Sequence, residues 1–115
     1  VEECNLKMIE LINLGNDIFT EICIATDFPP NKITYRKPSP LFGNEILKKY
    51  NIKKNQLIYI GDSLSDLMTA KNIGCKAFGV NTGLVDLKNE KKNNNEINFE
   101  IFDNLKDVVN NIINC

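Results

Sequence analysis

Two short runs in this sequence carry residue types that could do chemistry together: Arg36-Lys37-Pro38, and Gly61-Asp62-Ser63-Leu64-Ser65-Asp66. The second begins where the apolar run Leu57-Ile58-Tyr59-Ile60 stops and a helical pattern starts. Two carboxylates one helical turn apart at the carboxyl end of a strand are hard oxygen ligands suited to a small cation such as Mg²⁺. A lysine that reaches across the strand ends can neutralise a phosphate oxygen. Magnesium-assisted phosphoryl chemistry needs this combination. It also needs a nucleophile, and no Asp-x-Asp pair occurs anywhere in the chain.

Each residue has a plainer reading when taken alone. Asp62 could simply cap the following helix and Asp66 simply face solvent, since aspartate is common at helix starts. An isolated Arg-Lys is most often a solvated surface pair. What changes the reading is the order: Lys-Pro-x-Pro opens one helix, and Gly-Asp-x-x-x-Asp opens the next.

The elements that must position these residues can be traced along the chain. Apolar residues at Cys4, Met8, Leu11 and Ile12 give a helical stripe from Cys4 to Leu14, with Gly15-Asn16 as its stop. Ile18 to Ala25 reads as a strand, followed by a loop at Asp27-Phe28-Pro29-Pro30-Asn31. Ser39 is placed to cap a helix with Pro40 at its first helical position, and Phe42, Ile46, Leu47 and Tyr50 form its buried stripe. Gln56 to Ile60 predicts a strand buried on both faces of a parallel sheet. A helix over Leu64 to Ile73 closes at Gly74, and Cys75 to Val80 gives the next strand. Asn81-Thr82-Gly83 is a turn, Lys88 to Asn95 a solvated loop, Asn98 to Ile101 a short strand, and Asn104 to Ile113 a last helix. Alternating helices and strands at this spacing predict an α/β fold with a parallel sheet flanked by helices.

Composition bounds the possibilities. At 115 residues, 43% hydrophobic and 25% charged, the chain has room for a single domain, residues 1–115. The net charge of −1 is interspersed, which disfavours capture of nucleic acid or an anionic membrane. No apolar run approaches the roughly 20 residues of a membrane-spanning helix, and the start resembles no signal segment, so a cytoplasmic protein is expected. There is no histidine, and Cys4, Cys23, Cys75 and Cys115 are scattered, so structural zinc has neither spacing nor partners. Cys23 and Cys75, inside apolar strand-like runs, are expected to be buried reduced thiols.

The chain resembles the haloacid dehalogenase-like (HAD) hydrolase superfamily, mostly Mg²⁺-dependent phosphatases that pass through an aspartyl-phosphate. The resemblance runs from Tyr35-Arg36-Lys37-Pro38-Ser39-Pro40 through Leu57 to Asp66, Ala70, Ile73-Gly74 and Val80-Asn81-Thr82-Gly83, in the order of that superfamily's C-terminal half. It implies a Rossmann-like fold. It further implies that Lys37 is the third-motif catalytic lysine that binds phosphate and steadies the nucleophile, with Arg36 beside it as a phosphate- or substrate-binding cation. On the same resemblance Asp62 is the fourth-motif magnesium ligand, and Asp66 its second acidic residue, acting directly or through water. Arg-Lys-Pro running straight into a helix looks like the small-capped or capless phosphatases of the heptose bisphosphate and histidinol phosphate kind. Their Cys- and His-rich zinc loop is replaced here by Ala25 to Tyr35. The implied substrate is a small phosphorylated metabolite, a sugar or amino-alcohol phosphate. Polynucleotide 3′-phosphatases share Tyr-Arg-Lys-Pro, but the charge distribution argues against a polynucleotide.

The superfamily's first motif, Asp-x-Asp, and its second-motif Ser or Thr are not present. Asp27 has Pro29 two positions on and is not a nucleophile candidate. In the resembled fold two strands stand between the one at Ile18 to Ala25 and the one at Leu57 to Ile60, so without them strand edges would be open. The expectation is therefore part of a longer phosphatase, with the N-terminal half elsewhere or supplied by a second polypeptide. The alternative is a non-catalytic, degenerate subunit that keeps the fold and binds metal or a partner.

Overall fold

A computed structural model describes residues 2–13, 15, 19–25, 35–93 and 99–114. The chain gathers into two compact units, Val1–Tyr35 and Arg36–Cys115.

In the first unit, α1 runs over Glu2–Ile12. It stops at Asn13, whose φ of 56° is left-handed and whose amide bonds back to the Ile9 and Glu10 carbonyls, two residues before the Gly15 that was expected to end it. The expected stripe faces outward: Leu11 is 73% exposed, while Ile9 is the buried side chain at 7%. Residues 19–25 form no strand, contrary to the expectation for Ile18 to Ala25. Sequence propensity alone does not make a strand, because the extended backbone is held by its ladder, and no ladder reaches this segment among the described residues. Cys23 is accordingly exposed rather than buried. Ile18 and the loop from Asp27 to Asn31 lie outside the described residues.

The second unit is α/β. After α2 (Leu41–Lys49) and a short 3₁₀ turn at Lys54–Gln56 come β1 (Ile58–Gly61), α3 (Leu64–Ile73) and β2 (Lys76–Val80). Next follow α4 (Leu87–Asn93), β3 (Glu100–Phe102) and α5 (Leu105–Ile113). The strands form one parallel sheet in the order β1-β2-β3, with Gly61 opposite Gly79 and Val80 opposite Phe102. The central strand is buried on both faces, and its side chains divide the core. Ala77 joins Leu67, Ala70, Ile73, Cys75 and Leu87 on the α3 side, and Phe78 and Val80 join Val108 of α5 on the other. Each of Leu67, Ile73, Leu87 and Val108 is essentially sealed, worth about 1.5–3 kcal/mol of transfer apiece. Phe78 meets Phe102 edge to face with ring centres 5.6 Å apart.

β1 departs from the expectation of a strand buried on both faces. Ile58 and Ile60 are 39% and 36% exposed, because β1 is an edge strand of the described sheet and α5 packs against β2 and β3. α2 buries no residue fully, and Tyr50 of its expected stripe is exposed, while Leu47 packs onto the α3 cluster. The expected solvated loop from Lys88 is instead the helix α4. Its amide at Asn89 bonds Asp86 Oδ1 at 3.3 Å, Glu90 N bonds the Asp86 carbonyl, and buried Leu87 anchors it. No helix of the described residues is long and apolar enough to cross a membrane.

Candidate active site

Lys37 stands in a tight turn. Ser39 N donates to the Arg36 carbonyl at 3.0 Å, the Lys37-Pro38 peptide is cis, and Arg36 is exposed next to Lys37. Two contacts fix the end of this turn. Pro40, not Ser39, is the N-cap of α2, while the Ser39 hydroxyl accepts from Leu41 N at 3.2 Å, and Asn72 Nδ2 of α3 donates to the Pro38 carbonyl at 2.9 Å. The root of Lys37 is thereby tied both to the helix that follows it and to α3.

α3 begins in a capping box. Ser63, with extended φ and ψ, accepts from Asp66 N at 3.3 Å, and Asp66 reaches back to Ser63 N at 3.2 Å. Ser63, not Asp62, is the cap, and Asp66 is 5% exposed rather than solvated. This inward fold is possible because residue 61 is glycine: a Cβ there would stand 2.2 Å from the Asp66 Cβ.

The Asp66 carboxylate is surrounded by donors. Oδ2 accepts from Asp62 N at 3.1 Å, Ser63 N at 3.2 Å and Ser63 Oγ at 2.8 Å. Oδ1 accepts from Lys37 Nζ at 2.8 Å and from the Tyr59 hydroxyl at 3.3 Å. Burial pushes the Asp66 carboxyl up, but the Lys37 and Ser63 hydrogen bonds, the lysine charge and the Asp62 amide outweigh it and hold it below the ordinary aspartate value. Tyr59 moves the other way. Burial first, then the Asp66 charge and hydrogen bond, raise its phenol to about 12, so it stays a donor.

Asp62 is the exposed member of the group, at the point where β1 gives way to α3. Its amide is held by Asp66, while its carboxylate carries no hydrogen bond or ion pair among the described residues. It lies instead against Gly83 in the loop after β2, where an added Cβ would come within 2.6 Å of Asp62 Oδ2. That loop is braced by Asn81, whose Oδ1 accepts from Leu87 N at 2.7 Å and whose Nδ2 donates to Asp86 Oδ1 at 3.3 Å.

The structure therefore brings Lys37 and Asp66 into direct contact and puts Asp62 one hydrogen bond away. A carboxylate offers about four lone-pair positions, and five donors already surround Asp66, whereas the Asp62 oxygens are available to a hard cation. Tyr59, Ser63, Asn72 and Gly83 join the site, though the sequence motifs assigned none of them a role there. The Ser-x-x-Asp spacing of the capping box was a readable signal for Ser63. Asn72 and Gly83 depend on packing between distant segments, and Tyr59 on how β1 turns into α3, which no local spacing reports. Among the described residues no cluster of three or more His, Cys, Asp or Glu side chains could hold a metal unaided.

The family described as HAD-hydrolase-like matches residues 34–108. Among curated proteins, a phosphoglycolate phosphatase of Vibrio vulnificus (strain YJ016) is 33% identical over 67 residues, 58% of this chain and 27% of that protein. A phosphoglycolate phosphatase of Vibrio cholerae (serotype O1) is 40% identical over 60 residues, 52% of this chain and 25% of its own length. A glyceraldehyde 3-phosphate phosphatase of Pyrococcus furiosus is 37% identical over 68 residues, again 58% of this chain and 27% of that protein. The chain thus spans 25–27% of the length of these relatives. No solved structure matches it significantly.

Proposed function

The chain belongs to the HAD-hydrolase-like family, and from that premise we propose that it is the lysine- and metal-binding part of a Mg²⁺-dependent phosphomonoester hydrolase acting through an aspartyl-phosphate. The observation that carries this reading is the 2.8 Å contact of Lys37 with buried Asp66 at the end of β1, beside the exposed carboxylate of Asp62. Asp66 occupies one of the three ammonium donors of Lys37. Two remain for a phosphoryl oxygen and for the carboxylate that attacks phosphorus. Arg36, one position earlier, adds positive charge for a substrate phosphate.

The donor set fits Mg²⁺ at Asp62, a charged oxygen ligand at a strand end, with further ligands from water, the phosphate and the nucleophile segment. Asp66 fits a supporting position: its carboxylate, filled by protein donors, fixes the Asp62 amide beside the ion's place. Bound there, Mg²⁺ would neutralise charge on a phosphoryl oxygen. The 115 residues hold no Asp-x-Asp, so the nucleophile of this pathway comes from outside them. That absence is also what favours the second reading, a non-catalytic HAD-like subunit. The names of the relatives, phosphoglycolate and glyceraldehyde 3-phosphate phosphatases, favour a two- or three-carbon phosphate ester; glyceraldehyde 3-phosphate, a triose phosphate, falls within the sugar phosphates that the resemblance implied.

The test is phosphate release from 2-phosphoglycolate and glyceraldehyde 3-phosphate, with and without Mg²⁺, by the protein carrying the sequence encoded upstream of Val1. Mg²⁺-dependent release that Asp62→Asn abolishes is expected. Absence of release from a protein that does carry an upstream Asp-x-Asp would turn the assignment to the binding subunit.

A further inference from the structure

Tyr59 is the one polar-tipped side chain in the aliphatic run that forms β1, and its hydroxyl shares a single oxygen with the candidate catalytic lysine. Asp66 Oδ2 is held by the capping loop alone, through Ser63 and the Asp62 amide. Oδ1 receives Lys37 and Tyr59, and among the described residues no other donor. The carboxylate torsion is broad and roughly two-fold, so a carboxylate anchored at Oδ2 still has freedom to pivot. Lys37 itself is half exposed on a flexible four-carbon stem and does not fix that torsion. Tyr59 can, because its ring packs against the α3 core cluster and its position on β1 is set by the ladder to β2.

We propose that Tyr59 is a positioning residue for Lys37: its hydroxyl holds Asp66 Oδ1 in one place, so that the lysine ammonium returns to one place with its other donors facing the strand ends. The inference rests on the proposed role of Lys37 at the phosphoryl group. It assigns Tyr59 no contact with substrate. The sheet thereby sets the tip of the lysine through Asp66, while Asn72 of α3 sets its root through the Pro38 carbonyl.

Tyr59→Phe keeps the ring and removes only the hydroxyl. In the complete phosphatase, with p-nitrophenyl phosphate as probe, it should lower kcat about tenfold to a hundredfold, the scale of one lost hydrogen bond to a charged group, with little change in KM. In a Lys37→Ala background the same substitution should cost nothing further, because the group it positions is gone. Equal losses in both backgrounds, or no loss with Lys37 present, would overturn the proposal. A second measurement is independent of turnover. With ¹⁵N-labelled lysine, the Nζ resonance of Lys37 should shift in Tyr59→Phe, and an unmoved resonance in a folded variant would overturn the proposal by itself. If Lys37→Ala leaves turnover intact, the catalytic reading of Lys37 fails, and the resonance still decides whether Tyr59 positions it.

Discussion

Lys37 Nζ and Asp66 Oδ1 meet at 2.8 Å across 29 positions of sequence, joining the turn before α2 to the first turn of α3. One partner is buried and the other half exposed, so the pair is anchored from the Asp66 side and presents its cation outward. A carboxylate that accepts from two amides, a serine, a tyrosine and a lysine is a structural joint as much as a charge.

The first prediction follows from the lowered pKa of Asp66. A carboxyl that is more acidic folded than unfolded stabilises the fold above its unfolded value, and this contribution is lost as pH falls through the folded one. Urea midpoints should therefore drop below about pH 4, the ordinary aspartate range. Asp66→Asn should be less stable at neutral pH and lose most of that acid dependence. A variant with an unchanged acid limb would mean that another carboxylate governs it. At the alkaline end the sign reverses: Tyr59, raised to about 12, contributes fully below pH 10 and loses its contribution as pH climbs toward 12.

Asp62 and Lys37 should separate stability from activity. Asp62 is exposed, so Asp62→Asn should shift unfolding by no more than about 0.5 kcal/mol, while removing most Mg²⁺-dependent phosphate release. Lys37→Ala should raise the reaction barrier by about 3 kcal/mol or more, and it also strips buried Asp66 of its ion pair, which should cost about 1–3 kcal/mol of stability. Thermal melts set beside turnover would check both, and an Asp62→Asn variant with full turnover at unchanged Mg²⁺ would remove Asp62 from the site.

Gly83→Ala tests the other wall of the site. The new methyl would stand 2.6 Å from Asp62 Oδ2, and the loop that carries it is braced by Asn81 on Leu87, Asp86 and the Phe102 carbonyl. The flexible Asp62 carboxylate is the part that can move, so stability should change by less than about 1 kcal/mol. The Mg²⁺ concentration giving half-maximal activity should rise. Unchanged metal dependence would show that Asp62 works from a position the methyl does not reach.

What was legible in the sequence was what local chemistry fixes. The bounds of α3 were readable because Ser63-x-x-Asp66 starts it and Gly74, at φ 86°, ends it. The parallel strands around it were readable from apolar runs cut by glycine. The helix α4 was not, because Leu87 is its only buried side chain and the Asp86 cap sits among polar residues that look like loop. The segment from Ile18 to Ala25 shows the converse, with β-branched residues that lack a ladder among the described residues. At the site, the spacing of Lys37, Asp62 and Asp66 pointed to one strand end, where the structure brings them together, but not to which of them is buried and which exposed. The burial of Asp66 depends on the missing Cβ of Gly61 and on a lysine arriving from a distant turn, and the space for Asp62 depends on Gly83.

The last prediction concerns the edge of the sheet. β1 pairs with β2 alone among the described residues, and Ile58 and Ile60 present apolar surface beside its other edge. An edge strand with unpaired amides and carbonyls and exposed isoleucines is a template for another strand. The 115-residue chain on its own should accordingly self-associate, and sedimentation should show species larger than a monomer at micromolar concentration. Ile60→Lys puts a charge on that face without touching Tyr59 or the core clusters, and it should shift the distribution toward monomer. A polypeptide carrying the upstream sequence, if it pairs along β1, should compete with self-association and restore a cooperative melt that Mg²⁺ sharpens further by binding the folded state. A chain that sediments as a monomer with a sharp two-state melt would show that the β1 edge is already covered, and the open-edge account would fail.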